Sequence, residues 1–124
     1  MLLRSTLLIN GICTGLCGLG LVVAPDPLAT LLGVPTPTPL AAVGAGVLLY
    51  AGGLFWASRR RPIPGPAAWA AIVLDLAWVV GSIALVELGI LTSLGAGLVV
   101  LVAITVFVFA ALQFVGVRRL ANAA

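Results

Sequence analysis

Four runs of apolar residues, at approximately 5–24, 40–57, 67–86 and 94–117, dominate this 124-residue sequence and leave it one class of fold. Each is long enough to cross a hydrocarbon core of ~30 Å, which takes about 20 residues of helix. In lipid the backbone must satisfy its own N–H and C=O groups. These runs lack the alternation of a barrel strand, so helices are the expected solution. The stretch before the fourth run is already apolar from Leu88, so that helix is expected to start early and tilt. Composition points the same way, with 63% hydrophobic and 7% charged residues, against about 25% charged in soluble domains. The expected fold is an all-α membrane protein, four transmembrane helices in a compact antiparallel bundle, forming a single domain over 1–124.

The arginines set an expected orientation. Arg4, Arg59, Arg60, Arg61, Arg118 and Arg119 lie before the first span, between the second and third, or after the fourth. An even number of spans puts those places on one face. By the positive-inside rule that face, with both termini, is cytoplasmic, and Asp26 and Glu87 lie opposite. The net charge of +3 then reads as topology and contact with anionic lipid, not as a nucleic-acid footprint. The first run has no A-x-A-like site near Ala24 and exceeds the usual length of a signal-peptide core, so it is expected to be a retained helix. Abundant Ala, Gly, Val and Arg without Lys suggests a bacterial inner membrane.

Between the spans, Pro25-Asp26-Pro27 should break the first helix and 28–33 should form a short interfacial turn. Prolines at 35, 37 and 39 should stiffen the outer segment in extended form. Arg61-Pro62-Ile63-Pro64-Gly65-Pro66 reads as a tight stop before the third span, which with the fourth should form an antiparallel hairpin. Within the helices, Gly11 with Gly15, Cys13 with Cys17, and Gly46 with Tyr50 and Gly53 recur at helical spacing. Gly95 and Gly97 lie in the fourth run. Small residues of this kind let helix backbones approach closely, so bundle packing is expected at them, and a homo-oligomer contact or a lipid groove is the alternative.

Asp75 stands alone as a charge inside 67–86. A carboxylate at mid-bilayer costs roughly 2.5–3.5 kcal/mol on insertion scales, and such a residue is read as functional by default. At 1.5 Å rise per residue it lies about 13 Å beyond Pro66, and Tyr50 lies about 13 Å before Arg59. Asn10 is about 9 Å beyond Arg4, and Gln113 about 7 Å before Arg118. One polar side chain from each span therefore falls in the same half of the membrane, which predicts a polar layer across the bundle. Helical spacing adds Cys13, Thr14 and Cys17 to the Asn10 face, Trp78 and Ser82 to the Asp75 face, and Thr105 and Phe109 to the Gln113 face. These stripes are expected either to line a pocket or to bond one another and fix the helices in register. No basic residue lies within a span, so Asp75 is expected to be protonated at rest and bonded to Tyr50 or Asn10.

Catalytic patterns are sparse. The absence of histidine excludes His-based metal sites, haem ligation and His general bases. Cys13-x-x-x-Cys17 is not a C-x-x-C redox pair, and its spacing on a helix suits two buried small hydrophobes. No G-x-S-x-G elbow, paired-carboxylate site or P-loop occurs. No enzyme activity, metal or cofactor is expected.

The first span ends at Pro25, a turn ends in Leu31-Leu32-Gly33-Val34-Pro35, and the Gly-rich Val43-Gly44-Ala45-Gly46-Val47-Leu48-Leu49-Tyr50-Ala51-Gly52-Gly53 closes on arginines. This first half resembles the DoxX-like group of small four-helix bacterial membrane proteins. The resemblance implies a compact four-helix bundle and, for some members, an accessory role in quinone-linked complexes; it assigns no site residue. Small multidrug-resistance transporters match in size, but their embedded acid is a glutamate in the first span, where this chain has Asn10. The paired-phenylalanine pattern of fluoride channels is also missing.

The leading expectation is a transporter-like or ligand-binding bundle with a protonatable site at Asp75, joined by Tyr50, Asn10, Trp78 and Gln113. Its partners would be the lipid bilayer, a small lipophilic or cationic ligand, and further copies of itself or a larger membrane complex, with no nucleic acid. The alternatives are a non-catalytic accessory or assembly subunit and, last, a lipid- or quinone-modifying enzyme.

Overall fold

The computed structural model describes residues 2–123. Its helices are α1 (Leu2–Val23), α2 (Pro25–Leu32), α3 (Thr38–Arg59), α4 (Gly65–Glu87) and α5 (Ser93–Ala123). Apart from the short α2, each contains a stretch long and apolar enough to cross a bilayer, and the protein is an integral multi-pass membrane protein. Large apolar side chains such as Leu16, Leu49, Val80 and Leu101 cover the outside, as a lipid-facing surface requires.

Proline and glycine set the helix ends. Pro25 lacks an N–H and opens α2 at its first position, directly after α1. Gly33 ends α2 in the left-handed region at φ 86°, with its N–H returned to Ala29 and Thr30. The proline segment between α2 and α3 is shorter than expected: Thr38 and Pro39 already belong to α3, because a proline fits the first helical turn, where its missing N–H has no intrahelical partner to lose.

The spans pack as two antiparallel pairs, α1 with α3 and α4 with α5, joined by α1 against α5. Small residues make the α1–α3 seam. A β-carbon on Gly15 would sit 3.6 Å from that of Ala51, one on Gly18 3.0 Å from the Gly44 carbonyl, and one on Gly44 2.7 Å from the Leu21 β-carbon. Of the expected packing glycines, Gly11 and Gly15 lie in this seam, whereas Gly46, Gly53 and Gly97 meet nothing within 4 Å. Gly95 is tight, but against Leu32 of α2. In place of the open glycines, Gly18 and Gly44 carry the seam and Gly116 seats α5 on Leu3. The 3–4-residue spacing expected for packing was right in kind; which glycine turns inward depends on helix rotation.

Around the bundle the order is α3, α1, α5, α4, and α3 and α4 hardly touch although a short loop joins them. The end bearing Arg4, Arg59 to Arg61, Arg118 and Arg119 is closed by Leu3, Leu7, Leu54, Ala57, Ile63, Ala68 and Ala71. There the Arg4 guanidinium donates to the carbonyls of Ser58 and Arg60, at the end of α3 where intrahelical partners run out. At the opposite end Thr92 donates through Oγ1 to Leu31 O at 2.7 Å and accepts from Gly95 N at 2.9 Å, tying α2 to the start of α5.

Candidate functional site

The four long helices each place one polar side chain just above the closed apolar end. Asp75 of α4 is at the centre, 3% exposed, with Asn10 of α1 and Gln113 of α5 both at 0%. Asn10 Nδ2 donates to Asp75 Oδ2 at 2.9 Å and Gln113 Nε2 to the same oxygen at 3.0 Å. Tyr50 of α3 donates from the other side to Asp75 Oδ1 at 2.8 Å. The two amides are linked as well, Asn10 Nδ2 to Gln113 Oε1 at 2.9 Å, and Thr14 Oγ1 donates to Asn10 Oδ1 at 2.9 Å. Among the described residues no buried side-chain polar atom lacks a partner. In lipid this matters more than burial of apolar area, which drives little association between helices already surrounded by hydrocarbon.

Beyond this layer, away from the arginine end, lies a cavity of about 440 Å³. Asp75 and Tyr50 form its polar floor, with Thr14, Cys13 and Cys17 along the α1 side. Its walls are apolar: Val43 and Val47 from α3, Leu74 and Trp78 from α4, Val102, Val106 and Phe109 from α5. α3 and α4, which barely touch, both contribute to these walls. The site can therefore offer one carboxyl group and one phenol to an otherwise hydrophobic ligand.

The structure divides the residues expected at the site. Asp75, Tyr50 and Trp78 line the cavity, whereas Asn10 and Gln113 lie behind the carboxyl, out of the cavity wall. Thr105 and Phe109 line the wall as their spacing suggested, but Ser82 belongs to a separate groove between α4 and α5. The thiols differ from expectation: Cys13 and Cys17 are exposed rather than buried, because the face of α1 they occupy borders the cavity. Val43 and Val47 of the α3 wall carry no sequence signal, since an apolar residue in an apolar run looks the same on every face, and Gly46, expected at a packing seam, opens onto the cavity instead. The Ala71 carbonyl, 3.1 Å from Tyr50 Oη, gives that hydroxyl a second partner beneath the floor; being backbone, it leaves no mark in the side-chain pattern. Among the described residues no three metal-ligating side chains converge.

Comparison with known proteins finds no matching family model, curated protein or solved structure.

Proposed function

We propose that this protein is a small ligand-binding, transporter-like bundle in which a lipophilic cation or amine occupies the cavity against Asp75 in exchange for a proton. The observation that carries this reading is the single carboxyl group at the floor of an apolar cavity of about 440 Å³. A volume in the range of small-molecule sites, apolar walls and one fixed polar group are the usual features of a ligand pocket. Trp78 and Phe109 in the wall add aromatic faces that attract cations. Access is lateral, between α3 and α4, from the bilayer. The chemistry is binding and exchange, without covalent steps. In this reading the arginine end faces the cytoplasm across a bacterial inner membrane.

The test is calorimetric binding of a hydrophobic quaternary ammonium probe and its neutral carbon isostere to the full chain in lipid nanodiscs. The cation is expected to bind and release one proton, so its affinity rises about tenfold per pH unit until Asp75 is fully ionised. Asp75→Asn removes both the binding and the pH dependence. Equal binding of cation and isostere, or binding unchanged in Asp75→Asn, overturns the reading.

A second reading, a non-catalytic accessory subunit or homo-oligomer, draws support from α3, whose Gly52 and Gly53 have nothing within 4 Å. Small residues left open in lipid are the kind that seat a neighbouring helix, and the DoxX-like resemblance of the first half points toward an accessory role. Native mass spectrometry of the gently extracted protein separates the two: a heteromeric partner retained in defined stoichiometry favours the subunit reading, a bound small molecule the first.

A further inference from the structure

The two amides turn donors, not acceptors, toward Asp75. Asn10 Oδ1 accepts from Thr14 and Gln113 Oε1 from Asn10, while Asn10 Nδ2 and Gln113 Nε2 both donate to Asp75 Oδ2. A protonated carboxyl needs an acceptor for its hydrogen, and an amide N–H cannot be one. Tyr50 can. Its Oη lies 2.8 Å from Asp75 Oδ1 and 3.1 Å from the Ala71 carbonyl oxygen, yet a phenol carries one hydrogen and donates it to one acceptor at a time.

We propose that Tyr50 is the proton-state switch of the Asp75 site: its hydroxyl hydrogen points to Asp75 Oδ1 when the carboxyl is ionised, and to the Ala71 carbonyl when Oδ1 is protonated and donates to Tyr50 Oη. The inference rests on the reading of Asp75 as a protonatable group. The arriving proton bonds to Oδ1. The phenol keeps its own hydrogen, which turns about the Cζ–Oη bond, and no heavy atom has to move. Both amide bonds to Oδ2 persist in either state. The titratable side chains facing Asp75 across the cavity are Tyr50 from α3 and the thiols of Cys13 and Cys17 from α1; α5 presents Thr105 and Phe109 there and no charge. Tyr50 is thus a positioning residue that lets the buried acid change charge without leaving an unsatisfied polar atom.

The single tyrosine in the chain makes the switch directly observable, because a tyrosine isotope label reports Tyr50 alone. Infrared titration of the full chain in nanodiscs, with ring-labelled tyrosine and carboxyl-labelled aspartate, follows both partners. Asp26→Asn, on the outer connection, leaves Asp75 as the one labelled side-chain carboxyl without touching the network. The expected result is a protonated carboxyl band that grows on acidification in step with a shift of the tyrosine C–O band. In Tyr50→Phe that carboxyl band moves to higher frequency, since the acid has lost its acceptor. A carboxyl band that titrates while the tyrosine band stays fixed overturns the switch and leaves the protonatable site standing. If no carboxyl band titrates at any pH at which the helices persist, both fall. The Asp26→Asn titration carries the test alone if Tyr50→Phe does not fold.

Discussion

Gln113 of α5 donates through Nε2 to Asp75 Oδ2 of α4 at 3.0 Å, and both side chains are buried. Because Asn10 of α1 donates to the same oxygen, one carboxyl atom joins three of the four spans. The fourth, α3, reaches the other oxygen through Tyr50. The carboxyl that ties the four spans together therefore also forms, with Tyr50, the floor of the cavity.

Removing a donor from this layer should cost more than an average interhelical bond. Such bonds are worth ~0.6 kcal/mol in lipid, but truncation here strands buried partners, which costs about 1–3 kcal/mol. Asn10→Ala should exceed Gln113→Ala, since Asn10 also bonds Thr14 and Gln113 itself. Reversible unfolding in mixed micelles measures both; costs near the average bond would mean that the layer relaxes freely.

Asp75→Asn and Asp75→Leu should separate. The asparagine oxygen can keep the two amide donors, and its N–H₂ can donate to Tyr50 Oη while Tyr50 donates to Ala71. Its stability should stay within about 1 kcal/mol of the parent, a typical single hydrogen bond. Leucine leaves the Asn10 and Gln113 N–H groups that pointed to Asp75 unpaired and should cost about 1–3 kcal/mol for each stranded group. Unfolding midpoints in the same micelles decide; equal losses would contradict this bonding scheme.

Gly44→Ala should destabilise the α1–α3 seam by about 1–3 kcal/mol, the usual cost of overpacking, because the new methyl would meet the Leu21 β-carbon at 2.7 Å. Gly53→Ala has nothing within 4 Å to meet and should be neutral or stabilising by up to about 1 kcal/mol through helix propensity. Thermal unfolding of the pair compares the two on one helix.

Cys13 and Cys17 should report cavity occupancy. Both line it and are exposed there, so a reagent that reaches the cavity reaches them. A small membrane-permeant maleimide should label them, and a saturating hydrophobic quaternary ammonium probe should slow the labelling severalfold. Intact-mass spectrometry gives the rates; labelling indifferent to the probe would place the ligand elsewhere.

Much of this site is legible before any coordinates. Asp75, Tyr50, Asn10 and Gln113 fall at similar depths by counting helical rise from the arginines, and they do meet. What counting does not reveal is their division of labour: Asn10 and Gln113 behind the carboxyl, Tyr50 and Trp78 on the cavity side. Nor does it separate Gly44, which clamps α1 to α3, from Gly46, which opens onto the cavity two positions later.

The sequence by itself determined the spans, their alternating directions and the depth of each polar group, because lipid demands long self-satisfied helices and a helix advances a fixed distance per residue. Only the tertiary structure decided that α1 lies between α3 and α5, that α3 and α4 stand apart, and which residues beside each polar group face the cavity. A single polar residue marks the inner face of an apolar helix only coarsely, so its exact rotation is set by how closely small residues let backbones approach and by where the buried carboxyl finds its donors.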